Sequence, residues 1–225
     1  MRVKKKHISE ETILSAAWEL MDKIGIEEFS MRKLAVELNI QAPSLYWYFE
    51  NKQSIFQALA NEVAKEVLQA AKHEGEWQEQ LTDYALKIKN TLSKYPCSPI
   101  LWMRTVPSEP DYLALINGLL EIIDPLPLEE KDKFASIACV MNYVISFELD
   151  KHEQQKVDLF LSLDAKEGPK AVFKQSIEQL PEERSKVLKR MYDNGLFSEL
   201  GSDRMFNTGL GIILSGIEQL AAAGG

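Results

Sequence analysis

Cysteine is scarce: two occur in 225 residues, Cys97 and Cys139, far apart and in no Cys-x-x-Cys pair. A disulfide framework or a structural zinc site is therefore not expected, and a reducing, cytoplasmic setting fits. Long hydrophobic runs are lacking too. No stretch approaches the roughly 20 apolar residues that span a bilayer, so no membrane partner is expected. The amino-terminal MRVKKKHISEE is basic, but it leads into an amphipathic stretch rather than the apolar block of a secretion signal. Catalytic signatures are missing: there is no nucleophile elbow, phosphate-binding glycine loop or HExxH, and adjacent carboxylates such as Glu129 and Glu130 read as a solvated helix start. An enzyme is not expected. Alternating strand patterns with hairpin turns are also absent.

What is present is helix. With 45% hydrophobic and 27% charged residues the composition is globular, and the length suits one large or two modest domains. Apolar positions recur at three and four residues almost throughout. Ser9 is placed to cap a first helix, with Ile8 and Ile13 as a hydrophobic staple and Gly25 as its stop. Ser30 opens a second helix through about Asn39, Pro43 a third of about two turns, and Asn51 a long fourth through about Ala71. Two short helices joined by a tight turn are a helix-turn-helix signature. Beyond it, helices are expected over 77–93, 100–104, 112–123, 129–152 and 203–222, with 153–200 the least regular part.

Charge is unevenly spread. Residues 1–72 hold 10 Lys+Arg and 10 Asp+Glu, whereas residues 73–225 hold 16 and 24 and carry the whole net charge of −8. A neutral head with a cationic tip (Arg2, Lys4, Lys5, Lys6) on an acidic body suits a head that meets a polyanion; the bland alternative is a solvated lysine-rich tip.

The densest signal is QAPSLYWYFENK, residues 41–52. Four consecutive aromatics, Tyr46 to Phe49, cannot all enter one core from a helix with one buried face. Leu45 and Phe49, four apart, share the buried side with Leu34, Ala35, Leu38 and Ile40. The outward side then carries Ser44, Trp47 and Tyr48, with Tyr46 at its flank, Lys52 beyond, Gln41 before it and Arg32 on the second helix. Such a mixture can bond phosphates, stack on sugars and touch thymine methyls. Packing of the aromatics against the first or fourth helix is the alternative.

The segment IGIEEFSMRKLAVELNIQAPSLYWYFENKQSIFQAL resembles the DNA-binding head of the tetracycline-repressor (TetR) family. The body is similar to that family's regulatory domain through EGEWQEQL, TVPSEPDY, SFELDKHEQQ and FNTGLGIILSGIE, in the family's order. The resemblance implies DNA contacts at Arg32, Gln41, Ala42, Pro43, Ser44, Tyr46, Trp47, Tyr48 and Lys52. Ala42 stands where the family's namesake has a base-reading glutamine and Tyr48 where it has histidine, so a different operator sequence is implied. Trp102 stands in place of a magnesium-binding histidine, Val106 of a drug-contacting arginine and Tyr84 of an asparagine. Tryptophan does not ligate metals, which points to an apolar, aromatic pocket. Its candidate lining is Tyr84, Ile88, Trp102, Met103, Phe134, Ile137, Met141 and Tyr143, several of which read equally well as plain core.

The expectation is an all-α chain: a three-helix helix-turn-helix head (1–55) joined by a long helix to a helical ligand-binding and dimerisation domain (56–225). It would act as a homodimeric, cytoplasmic transcriptional regulator, a repressor released from palindromic double-stranded operator DNA by a small apolar or aromatic effector, with no cofactor. The rivals are a haem or metal sensor using His73 and His152, and a helical sensor that does not bind DNA. In the last helix, Gly209, Gly211, Ser215 and Gly216 suggest close approach of a second copy, with local fraying as the alternative.

Overall fold

Small polar residues start the first, second and fourth helices by satisfying backbone N–H groups that a first helical turn leaves free. A computed structural model describes residues 8–71, 74–95, 97–164 and 169–224, without the side chains of 156–171. Helix α1 (Glu10–Ile24) opens on Ser9, whose hydroxyl accepts from the Thr12 amide, and closes at Gly25 with φ 76°. Helix α2 (Met31–Glu37) opens on Ser30, which accepts from the Lys33 amide. After a turn with Asn39 at φ 55° comes α3 (Ala42–Leu45), and α4 (Lys52–Ala70) opens on a reciprocal Asn51–Ser54 capping box. Ile13, Ala17, Leu34, Leu45, Phe49 and Phe56 form the buried centre of this head.

The third helix is shorter than its pattern suggests. It has four residues rather than two turns, and Pro43 is second in it, not first. The chain leaves it at Tyr46, and the amides of Tyr48 and Phe49 both turn back to the Leu45 carbonyl. Aromatic residues are weak helix formers, and this tight turn is what lets Phe49 reach the core.

The body consists of α5 (Trp77–Lys94), α6 (Ser98–Arg104), α7 (Pro110–Ile123), α8 (Glu130–Asp164), α9 (Pro169–Glu178), α10 (Glu182–Asp193), a 3-10 turn (Leu196–Glu199) and α11 (Asp203–Gly224). No strand occurs among the described residues, and none of their helices is long and apolar enough to cross a membrane. Helix α8 packs on α5, α6, α7 and α11, while α4 packs on α1 in the head and on α5, α6 and α7 in the body. The expected division at 55/56 thus falls inside one continuous helix that both units share.

Two expectations are corrected. The long helix does not end at His152 but continues to Asp164, and the segment expected to be least regular, 153–200, is mostly helical. Pro169 and Pro181 read as breakers, yet each stands at a helix start, where a missing N–H breaks no bond. The glycines of α11 also divide. A Cβ on Gly209 would lie 2.2 Å from the Tyr143 hydroxyl of the same chain, so this glycine serves internal packing, whereas Gly211 and Gly216 face open space.

Candidate functional site

One candidate surface lies on the head and another in the body. On the head, α2 presents an exposed Arg32, and α3 with its following turn presents Gln41, Pro43, Tyr46, Trp47 and Tyr48 as exposed residues, with Ala42 and Ser44 half-buried. Leu45 and Phe49 are buried behind them. The aromatic run divides as its spacing predicts, and Trp47 stands 88% exposed. The surface so formed offers amide, hydroxyl, guanidinium and ring edges together, the groups that meet phosphates and groove edges.

Two of these side chains have further partners that the sequence did not disclose. The Tyr48 hydroxyl donates to the Ile8 carbonyl at 2.7 Å, tying the residue before α1 to the recognition turn. Lys52 is half-buried: its ammonium donates to the Ile26 carbonyl at 3.3 Å and lies 5.1 Å from the centroid of Phe56. Lys52 is thus directed toward the head's own core, unlike the exposed residues around Trp47.

In the body, a groove of about 360 Å³ runs between α6, α7 and α8. Of the residues proposed from sequence for a pocket, Trp102, Met103, Phe134, Ile137 and Met141 line this groove, with Phe134 largely exposed at its mouth. Tyr84 and Ile88 do not: they are fully buried in the α5 core, and burial pushes the Tyr84 phenol above its ordinary pKa. Tyr143 points elsewhere, donating its hydroxyl to the Phe206 carbonyl of α11 at 2.9 Å. Sequence reasoning missed Tyr112, Ile116 and Leu120 of α7, Thr105 and Pro107 after α6, and Ala138, Asn142 and Ile145 of α8. A signal for the first three was present, since 112, 116 and 120 recur every four residues on one helix face.

The groove's floor is an aromatic pair. Trp102 and Tyr112 stack with centroids 4.8 Å apart and planes 27° apart, and the indole N–H of Trp102 donates to the Ala60 carbonyl of α4 at 3.2 Å. The Thr105 hydroxyl is satisfied by the Leu101 carbonyl, and burial raises the pKa of the Tyr112 phenol. None of the groove's lining residues carries a charge. His73 falls outside the described residues, so its pairing with His152 does too; among the described residues no group of three or more His, Cys, Asp or Glu is placed to hold a metal ion.

Head and body are linked by specific contacts. Arg104 of α6 pairs with Glu27 of the α1–α2 connection, and Gln53 of α4 donates to the Arg104 carbonyl at 3.1 Å. The Cys97 thiol donates to the Met21 carbonyl at 3.6 Å, and Trp18 of α1 stacks on Tyr95.

A head of this geometry on an all-helical body narrows the family. The sequence model for bacterial regulatory proteins of the tetR family matches residues 13–59, and that for tetracyclin repressor-like C-terminal domains matches residues 69–221. The chain belongs to the TetR family. TetR-family members are DNA-binding transcriptional regulators with helical ligand-binding C-terminal domains, typically homodimers. The chain is 26% identical over 219 residues to tetracycline repressor protein class G of Vibrio anguillarum, covering 94% of each. It is 22% identical over 215 residues to the class C repressor of Escherichia coli, covering 95% of this chain and 92% of that one. Among solved structures it resembles the Streptomyces coelicolor TetR-family protein ActR in complex with actinorhodin (TM-score 0.78, 19% identity, 96% of this chain and 99% of that one). A TetR variant of Acinetobacter baumannii AYE in complex with minocycline is similar as well (TM-score 0.70, 24% identity, 95% of both chains).

Proposed function

We propose that this TetR-family chain is a homodimeric repressor released from its operator by a small, uncharged, apolar or aromatic effector that binds between α6, α7 and α8 without a metal ion. The observation that carries the effector class is the Trp102–Tyr112 stack on the floor of a groove lined without charge. The groove's lining offers no carboxylate or imidazole to hold a divalent cation, and an ionised effector would go unpaired in such a groove. Relatives solved with minocycline and with actinorhodin support a small-molecule effector in this fold.

The head, residues 1–55, would read one half-site through Arg32, Gln41, Ala42, Pro43, Ser44, Tyr46, Trp47 and Tyr48, with Lys52 bracing the recognition turn from inside rather than reaching DNA. The body, residues 56–225, would hold effector and dimer contacts, with α4 common to both. A second copy would pair through the outer faces of α8 and α11, where Ala135, Cys139, Gly211, Ser215 and Gly216 are exposed and small. Two-fold symmetry then places half-sites roughly 34–36 Å apart on a palindrome. Gel shift with the DNA upstream of the chain's own gene tests the head, and a thermal-shift screen of uncharged aromatic compounds with and without chelator tests the groove. Chelator-sensitive binding of a magnesium–tetracycline complex would overturn the effector class, and absence of any specific shift would overturn the repressor reading.

A further inference from the structure

Helix α7 lacks a cap of its own. Its N-cap residue, Glu109, makes no side-chain bond to it, and Pro110 has no N–H to offer. The next two amides, of Asp111 and Tyr112, instead donate to Asn61 Oδ1 on α4 at 2.9 and 3.1 Å, and Asn61 Nδ2 donates to Asp111 Oδ2 at 2.8 Å. One side chain of α4 thus caps a different helix with three bonds. The preceding residue of α4, Ala60, receives the Trp102 indole N–H.

These two attachments converge on the groove. Trp102 and Tyr112 are stacked on its floor, and each is fastened to α4, one at Ala60 and the other through its own backbone at Asn61. A molecule that enters against this pair and displaces either ring moves groups bonded to a single turn of α4. That helix begins at Lys52, just after the recognition turn, and Asn61 lies nine helical steps further on, about 14 Å at 1.5 Å per residue. A bonded, helical element of that length transmits a tilt or shift without unwinding.

We propose that Asn61 is the positioning residue that couples the filling of the groove to the pose of the head. It touches neither DNA nor effector. Its role is to make α7 and α4 move together, so that a displacement at Tyr112 becomes a displacement of α1–α3. The proposal rests on the groove being an effector site, and it adds to that reading the route by which occupancy leaves the groove. Without the clamp, α7 would shift over α4, and only the α6 attachments of Trp102 to Ala60 and of Arg104 to Glu27 and Gln53 would remain to carry the signal. Coupling of this kind requires that the ligand favour one pose over the other.

The test uses the full chain and N-phenylnaphthylamine, an uncharged aromatic dye, as the probe. Amide hydrogen exchange is followed in the head, residues 13–45, with and without dye, in the parent, in Asn61→Ala and in the double variant Asn61→Asp, Asp111→Asn. The double variant leaves an oxygen of residue 61 to accept from both backbone amides and re-creates the third bond with donor and acceptor exchanged. Dye should change head exchange several-fold in the parent and in the double variant and several-fold less in Asn61→Ala, where the α6 contacts alone remain, with similar dye affinity in all three. A merely structural asparagine would lower stability in Asn61→Ala and leave the dye-dependent change in place. Should the parent bind no dye, the same comparison is made with Ile116→Trp, which puts an indole into the groove. A head response as large in Asn61→Ala as in the parent, or one that is missing from a parent whose groove is filled, overturns the proposal. A head response in the parent without any change in DNA affinity overturns effector release instead and leaves the coupling standing.

Discussion

Trp47 in the head and Trp102 in the body stand 88% and 3% exposed, although each sits among other aromatics. The difference lies in what the surrounding chain can offer. Around Trp47 the recognition turn is short, and Leu45 and Phe49 already fill the space behind it, so the indole has no protein surface to bury against. Around Trp102, α4 supplies a carbonyl for the indole N–H and α7 a ring to stack on. An amphipathic ring is buried where both its face and its polar edge find partners. Where only one core position exists, the ring left outside is available for a partner.

Substitutions can break that contrast. The largest effect is expected from Phe49→Ala, which removes a ring from the head's core and should lower stability by about 3–5 kcal/mol in chemical denaturation. Trp47→Ala, two positions away, should leave the denaturation midpoint unchanged and weaken operator binding by about 1–3 kcal/mol, the range for one ring contact to nucleic acid. If Trp47→Ala instead unfolds the head while Phe49→Ala is silent, the two faces have been assigned the wrong way round.

Gly209→Ala comes next. Its new methyl meets the Tyr143 hydroxyl and ring, and overpacking of this kind typically destabilises by about 1–3 kcal/mol. Gly211→Ala meets nothing within the chain and should stabilise the isolated chain by roughly 0.5–1 kcal/mol through helix propensity. Sedimentation separates the two roles: the first variant should unfold more readily without changing assembly, whereas weakened self-association in the second would mark Gly211 as part of the contact with a second copy. A concentration-independent monomer in the parent would remove the dimer altogether.

A milder contrast concerns Trp102 itself. Trp102→Phe keeps a ring against Tyr112 but loses the bond to Ala60, with an expected loss of about 1 kcal/mol. An unchanged melting midpoint would show that the indole bond adds nothing beyond stacking.

The smallest effect is one of pH. Glu148 of α8 is fully buried, with Lys151 Nζ 3.8 Å from one of its oxygens. Burial raises its pKa above the usual carboxylate range, against the opposing pull of Lys151 and Lys89. Because the folded state holds the proton more tightly than the unfolded one, the stability this group contributes is complete below the ordinary carboxylate pKa. It is lost as pH rises through the raised value. Glu148→Gln should therefore be more stable than the parent at neutral pH, and the gain should shrink as pH falls toward about 4. A gain independent of pH would show that ionisation is not its source.

The caps at Ser9, Ser30 and Asn51, the stop at Gly25 and the buried pair Leu45 and Phe49 were legible in the sequence, because each depends on neighbours within about one helical turn. So was the split of the aromatic run, although a tight turn after Leu45 rather than a continued helix produces it. The sequence by itself determined that this is an all-helical chain with a TetR-type head, since caps and spacing are local and the recognition motif is contiguous. Only the tertiary structure decided that Tyr84, Ile88 and Tyr143 leave the groove while Tyr112, Ile116 and Leu120 enter it, and that Lys52 turns inward. It alone brought Asn61 onto the start of α7. These outcomes depend on which helix lies opposite, at separations of 26 residues for Lys52 and Ile26 and 50 for Asn61 and Asp111, and no local pattern records what will stand across from a side chain once the helices pack.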